Sequence, residues 1–564
     1  MFKKKTAKVI SLALALMMSA GFVACGSNDT NDTNDPDNIH LEEGQTLFKI
    51  SAFNGGYGLD WLDAITKAYS EEHPEVVFYY RKDEVNRANQ RTALESGAAE
   101  EDLFITGSFN IHAQLDTGRM QLAELTDVYD TIGEKLIPSV TEWYEHEDKQ
   151  YAVPWGTAML GILYRSDFFK SNKIQVPRTS TELLSAAKKI TSMQKNERSG
   201  PFAFTYSDNI TTGECYIDYL LNAWMAQYEG VNGYEKYWDF KLKDGTSCSS
   251  DITISYEYQS VLRILEVYEE ILKPSNNYNH YLSTSNTFTA AQGQFLRGDA
   301  KMMFNGDWVV QEMRKNDAYN KYDTSDVRFM KTPILSSIVE TMPMWKEAST
   351  VHYTVDPDSK TNIFPSNHTE LSATKKANYE NALVAIIDYV DGVTTKKPTS
   401  VSGITITQKD IDRIKEARNI TPTMADGHVM VVPENSKNKD IAKDFIKFMY
   451  SDKGIELYSK NVYGTGLPVN YTQEQIDEIV GDSEMMRSAY DMLGEDAYLT
   501  FYFGGKHPAF TAGGLKPTYR SDATDFVIAM SVKNLSSYES AYLFYQKSQS
   551  QISHPSTWPN FIIE

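Results

Sequence analysis

From residue 46 onward the chain alternates between two hydrophobic periods. Phe48, Ile50 and Ala52 occupy every second position, which predicts a half-buried strand ending at Asn54-Gly55-Gly56. Trp61, Ile65 and Ala68 then share one helical stripe that stops at His73-Pro74. Residues 76–80 read as a second strand, 86–96 as a helix and 102–106 as a third strand. Strands separated by helices of this length predict βαβ units and a sheet covered by helices. In such sheets ligands sit beyond the carboxyl ends of the strands, which singles out the loops at 54–57 and 107–110.

The middle and end of the chain continue in the same style. Residues 151–156 (YAVPWG) and 160–165 (LGILYR) are extended runs, and the Pro-Trp-Gly between them predicts a strand crossing from one lobe to another. Long helices are expected at 251–272, 381–393 and 405–417, and a strand at 428–433. Ile441, Phe445, Phe448 and Met449 form the apolar face of a further helix, expected to end near residues 452–454.

The N-terminus breaks this pattern. Lys3, Lys4, Lys5 and Lys8 precede an apolar run over residues 9–24, interrupted only by Ser11, Ser19 and Gly21. A basic stub, a short apolar stretch and small residues before a cut site predict a secretory signal over 1–24. The run falls short of the roughly 20 residues that span a bilayer. Cleavage would leave Cys25 first, after Phe22-Val23-Ala24, which resembles a lipobox with Phe22 in place of the usual Leu. That resemblance implies a diacylglycerol on the Cys25 thiol and an anchor on the outer face of the cell membrane. The Asn-Asp-Thr repeats that follow have almost no apolar residues, so 25–44 reads as a disordered tether. They lack the Gly and terminal Glu of a calcium-binding loop.

Composition narrows the functional classes. The 564 residues suffice for at least two domains and a sizeable core. The net charge of −21 becomes −25 once the four lysines of the signal are removed, which argues against nucleic acid or an anionic membrane surface as a partner. An aromatic share of 12%, rich in Tyr, suits either core packing or sugar recognition. Cys215 and Cys248 are either bridged, as an exported location permits, or buried thiols. No metal or cofactor is expected: the ten histidines are scattered, and there is no His-Glu-x-x-His and no paired-cysteine spacing. There is also no Gly-x-Ser-x-Gly elbow, and Gly55-Gly56 leads into no Walker or dinucleotide pattern. No catalytic residues are assigned. A surface-anchored polysaccharide-degrading enzyme stays open as an alternative, because a glycosidase needs only two well-placed carboxylates. A ligand-sensing surface protein without a transporter is another.

Five segments then occur in one order. They are FNGGYGLDWLDAITKAYSEEHPEVVF (53–78), QLAELTDVYD (121–130), YAVPWGTAMLGILYRSDFFK (151–170), LRGDAKMMFNGDWVVQEM (296–313) and HVMVVPENSKNKDIAKDFIKFMYSDKG (428–454). Together they resemble the family 1 extracellular solute-binding proteins, the maltose-binding-protein type. The resemblance implies an α/β, two-lobed, periplasmic-binding-protein-like fold, with hinge crossings and a ligand cleft between the lobes. One lobe would comprise 45–153 plus 423–465, the other 156–422 plus 466–564. Residues 336–421, an insertion in the second lobe, and 471–564 exceed the family pattern. The implied activity is capture of a carbohydrate, an oligosaccharide, by cleft closure. The complex would dock on the membrane permease subunits of an ABC importer, and the protein would act as a monomer on the extracellular face. Peptides and amino acids are the alternative ligands.

Sugars present apolar C–H faces and many hydroxyls, so a site needs flat aromatic rings and planar polar groups. Trp155 and Trp308 stand where this family often stacks a sugar ring, and Tyr57, Tyr206 and Trp224 are further platforms. For hydroxyls, Asn54 and Ser108 follow strands, Asp307 precedes Trp308, and Asp426 precedes the return strand. Each has a plainer alternative: core packing for the aromatic residues, turns and caps for the polar ones. Trp61 and Trp238 are assigned to the interior or a helix surface.

Overall fold

A computed structural model describes residues 39–502 and 504–505, apart from 81–86, 108–110, 117, 119–120, 197–199, 210–213, 248–257, 259, 274, 277–285, 315–320, 348–370 and 495. The predicted signal, Cys25, most of the tether, Ser108 and Cys248 therefore lie outside the described residues, as does the side chain of Cys215. Two compact units divide the chain, residues 1–45 and 46–564. In the first, Gln45 closes a turn on Glu42 with its backbone N–H and side-chain oxygen. Everything below concerns the second.

Period-two alternation becomes strand β1 (Thr46–Ala52), whose Phe48, Ile50 and Ala52 are all buried. The helix Asp60–Glu72 follows, then β2 (Val76–Tyr80), the helix Arg87–Ser96, β3 (Leu103–Ile105) and β4 (Val153–Pro154). β1 pairs in parallel with both β2 and β3, as a βαβ reading requires. Trp61, Leu62, Ile65 and Tyr69 of the first helix are buried against this sheet.

A second sheet is built from β5 (Leu160–Arg165), β6 (Phe202–Thr205), β7 (Ala300–Gly306) and β8 (Val327–Met330), in the order β8-β5-β7-β6. The chain then returns through β9 (Ile420–Thr423) to β10 (Val429–Val431), which inserts between β3 and β4 of the first sheet. Both neighbours are antiparallel to β10, because it re-enters from the opposite end. Near the C-terminus, β11 (Tyr498–Phe501) runs parallel to β9.

Three crossings between the sheets are bonded to one another. Thr157 reaches the Gly466 carbonyl with its backbone N–H at 3.0 Å and its hydroxyl at 2.7 Å. Met424 donates its N–H to the Ala158 carbonyl at 2.8 Å, and Trp155 donates its own to His428 at 2.9 Å. Ala158 (φ 49°) and Tyr463 (φ 48°) adopt left-handed backbone in these crossings. That conformation costs a non-glycine residue about 1 kcal/mol and is held only where neighbours dictate it.

Several helices differ from the sequence reading. Of the stretch 251–272, the described helix is Ser260–Ile271. The helix expected at 381–393 starts earlier, at Ala373, because the Ser372 hydroxyl caps it by accepting from Lys375 N–H. The one expected at 405–417 is Gln408–Arg418, opened by a capping box between Thr407 and Asp410. The helix Lys439–Met449 does not give way to a loop at 452–454. Ser451 instead caps a new helix, Asp452–Asn461, by accepting from Gly454 N–H at 3.1 Å. Among the described residues no helix is long and apolar enough to cross a membrane.

Residues 334–417 carry an apolar cluster of their own, centred on Ile338, Leu383, Ile386, Ile387 and Ile414. Arg418 ties it to the second sheet. Its guanidinium grips the Asp391 carboxylate through bonds of 2.8–3.0 Å and donates to the Thr332 carbonyl at 3.0 Å. Burial pushes the Asp391 carboxyl up, but Arg418 and Lys331 outweigh it and hold it below its ordinary value. Arg418→Ala should lower unfolding free energy by about 3 kcal/mol, since it leaves a half-buried carboxylate with only the longer Lys331 contact at 3.4 Å. Arg418→Lys should recover only part of this, because an ammonium cannot make the bidentate contact. Urea melts of the three proteins check both expectations.

Candidate functional site

Where the crossings meet, loops from both sheets bring aromatic rings together. Tyr57, from the loop after β1, lies edge-to-face with Trp155 at 5.7 Å, with Trp308 at 6.2 Å and with His428 at 6.1 Å. Trp308 lies nearly parallel to His428 at 6.2 Å and 24°. Trp155 stacks on Trp61 at 5.5 Å and 13°. The backbone allows this crowding. A Cβ at Gly56 would fall 2.7 Å from the Trp308 ring, and one at Gly464 would fall 2.4 Å from the Tyr57 ring.

Polar groups fix the rings. The Trp155 indole donates to the Thr106 carbonyl at 2.7 Å. His428 Nδ1 is 3.0 Å from the Met424 carbonyl, which can only accept, so Nδ1 carries a proton. At the centre lies the Asp307 carboxylate, fully buried. It accepts the Tyr57 hydroxyl, the Thr465 N–H at 2.8 Å and the Thr465 hydroxyl. Its own N–H donates to the Met159 carbonyl at 2.9 Å. Tyr57 and Asp307 thus join the two walls of the cleft directly. Burial pushes the Asp307 carboxyl up to about 6, although the Thr465 and Tyr57 bonds pull the other way. Burial, and then the charge of Asp307, hold the Tyr57 phenol well above its ordinary value, so it stays protonated as a donor.

The sequence-nominated residues divide into groups. Tyr57, Trp155, Asp307 and Trp308 come together here, and Asn54 is half-buried in the same loop as Tyr57. Asp426 is buried in the short turn between β9 and β10, where its charge adds to the burial that raises the Tyr144 and Tyr234 phenols. Trp224 and Tyr206 stand apart, in the second core. Trp224 packs on Tyr268 and donates its indole N–H to the Pro333 carbonyl at 2.9 Å, and Tyr206 packs on Phe304. His428, Thr465, Tyr216 and Tyr219 were missed. Tyr216 and Tyr219 contact Trp308 at 6.3 and 6.1 Å. A single His or Thr distant in sequence carries no local signal of its place. Among the described residues, no group of three or more His, Cys, Asp or Glu side chains is placed to hold a metal ion.

Comparison with known proteins decides what kind of cleft this is. The sequence model of the bacterial extracellular solute-binding proteins matches residues 55–349, just over half of the chain. The chain belongs to that family. Its members bind solutes and are not enzymes, so the hydrolase alternative falls away. Solved structures share the fold over nearly the whole chain. The GacH receptor of Streptomyces glaucescens GLA.O, solved unliganded and with acarbose, is 15% identical with a TM-score of 0.54, covering 92% of this chain and 100% of its own. Apo RafE from Streptococcus pneumoniae is 13% identical (TM-score 0.53; 91% and 99% covered). Maltose-bound MalE3 of T. maritima is 14% identical (TM-score 0.52; 89% and 99% covered). No curated protein matches the sequence. The family and the shared fold establish an extracellular solute-binding protein with two α/β lobes.

In this family member the central carboxylate gives stability an unusual pH dependence. Asp307 holds its proton more tightly in the folded chain than its ordinary value near 3.8 allows. Its contribution is therefore full below about pH 4 and is lost as pH rises through about 6, by about 3 kcal/mol at most. Asp307→Asn keeps an acceptor for Tyr57 and removes the titration. Thermal melts from pH 4 to 7 should show the variant losing less stability than the parent over this window; parallel curves would refute the assignment.

Proposed function

We propose that this chain is a lipid-anchored binding protein that captures an oligosaccharide in the aromatic cleft and delivers it to an ABC importer. One observation carries the reading: at the junction of two sheets Trp155 and Trp308 pack edge-on against Tyr57, whose hydroxyl meets the buried Asp307 carboxylate. Flat rings suit the C–H faces of a pyranose, and a carboxylate accepts sugar hydroxyls through charge-assisted bonds. Similarly folded proteins add support, having been solved with acarbose, raffinose and maltose bound.

The mechanism follows from the walls being in contact. A ligand entering between them replaces the Tyr57 hydroxyl on Asp307 with one of its own, so the carboxylate stays satisfied while the rings part to receive the sugar face. Ligand touching both walls favours the closed arrangement through its differential affinity. Asn54, Ser108 and Asp426 complete the hydroxyl contacts in this reading. The closed complex then docks as a monomer on the permease subunits. Tyr206 and Trp224 act only through the second core.

Calorimetry of residues 26–564 against gluco-, manno-, xylo-, galacto- and fructo-oligosaccharides identifies the ligand. Trp308→Ala should weaken its binding more than tenfold, about 1.4 kcal/mol, with a melting curve that still shows cooperative folding. Unchanged affinity in a folded variant rules out the platform. For the anchor, Cys25→Ser should abolish incorporation of labelled palmitate and release the protein from membranes into the medium. Retained label would place the lipid elsewhere.

A further inference from the structure

Residues 471–502 belong to the stretch that exceeds the family pattern, and they touch both lobes in turn. The helix Gln473–Val480 buries Ile476 and Val480 in the core around the first sheet. The next helix, Glu484–Tyr490, changes sides. Its Met485 and Ala489 pack with Val327 and Phe329 of β8, and the Ser488 hydroxyl accepts the Phe329 N–H at 2.8 Å. β11 then lies along the crossing strand β9, with Ile420 opposite Tyr498 and Thr423 opposite Phe501. Tyr498 and Tyr502 close the ends of this ladder, donating their N–H groups to the Asn419 and Thr423 carbonyls at 2.9 and 2.8 Å.

Within four residues β11 is gripped from both lobes. From the first, the Ser139 hydroxyl accepts the Leu499 N–H at 3.0 Å, and Trp143 stacks on Phe501 at 4.5 Å and 23°. From the second, Asn222 donates its side-chain N–H groups to the Phe501 and Tyr502 carbonyls at 2.6 and 3.1 Å. The same segment holds the crossings themselves. Gly466 donates its N–H to the Tyr490 hydroxyl at 2.9 Å, and the Thr421 hydroxyl of β9 donates to the Met492 carbonyl at 2.5 Å. Bonds of these lengths weaken steeply once the partners separate by about half an ångström. Pinned along its length to β9, β11 cannot follow one lobe without leaving the other. Relative rotation of the lobes therefore strains one grip or the other.

We infer that residues 471–502 form a strap across the hinge that restrains the two lobes from opening, with Ser139 and Asn222 anchoring β11 on either side. Without ligand, the strap favours the arrangement in which the Tyr57 hydroxyl stays on Asp307. The free energy needed to part the walls is then set partly outside the ring cluster around Tyr57. The inference does not depend on which solute the protein binds.

The test is wall opening measured without ligand. Wild type, Asn222→Leu and Ser139→Ala of residues 26–564 are compared by amide hydrogen exchange read by mass spectrometry, with urea melts to confirm folding. Peptides containing Thr465 report on the walls, because its N–H donates to Asp307 inside their contact. Peptides from β1 and β7, the strands paired on both sides within each sheet, report on the two cores. Asn222→Leu keeps a side chain of similar volume but donates nothing to β11. It should speed exchange at Thr465 at least about fivefold, the scale of two net hydrogen bonds, while β1 and β7 exchange as in wild type. Ser139→Ala removes a single bond and keeps the test open should Asn222→Leu fail to fold. It should speed exchange at Thr465 by about two- to fivefold, again without change in β1 or β7. Wild-type exchange at Thr465 in the folded variants would overturn the strap. Faster exchange spread evenly over Thr465, β1 and β7 would overturn it too, because that pattern marks a general loss of stability instead of release of the lobes.

Discussion

A single buried carboxylate organises the cleft. Asp307 follows a strand of the second sheet and is taken out of water completely, a state a carboxylate tolerates only with donors on its oxygens. Those donors come from far apart in the chain: Tyr57 after the first strand, and Thr465 in the last crossing. Satisfying one group thus fixes three loops against one another. The close approach at Gly464 and the left-handed backbone at Ala158 and Tyr463 follow from packing those loops so tightly.

The same constraint links stability to binding. In the proposed reading, the contact that joins the walls uses groups that a sugar hydroxyl imitates. Opening the walls replaces the Tyr57 hydroxyl on Asp307 with water, so the closed contact holds only as far as the tyrosine and Thr465 bonds offset the burial of the carboxylate. Under the proposed function, selectivity would come from the hydrogen bonds Asp307 accepts and from the shape of the rings around it.

Additions to the chain act on the same region from outside. The cluster over residues 334–417 is held to the second sheet by Arg418 and Asp391, well apart from the rings around Tyr57, and so bears on the stability of one wall. β11 touches both walls and the crossing between them. One added element thus packs on a lobe, while the other sits at the hinge.

Local order was legible without coordinates. The alternation of Phe48, Ile50 and Ala52, the stripe of Trp61 and Ile65, and the Pro-Trp-Gly crossing each rest on contacts within a few residues, which periodicity reports directly. The order of the five segments carried the family and with it the fold. Tyr57 could be nominated from its Gly-rich loop, Trp155 and Trp308 from the places where the resembled family often stacks a sugar ring, and Asp307 from its place before Trp308. Trp224 was a further candidate, yet its ring fills the second core and its N–H is used by Pro333. Nothing near His428, Thr465 or Tyr502 in the chain marks them, because their partners are hundreds of residues away or on elements whose approach depends on the whole fold. The sequence by itself determined the strands, the helices and the family, since those follow from short-range periodicity and segment order. Only the tertiary structure decided which polar and aromatic groups share the cleft, because burial and hydrogen-bond satisfaction are properties of chains brought together.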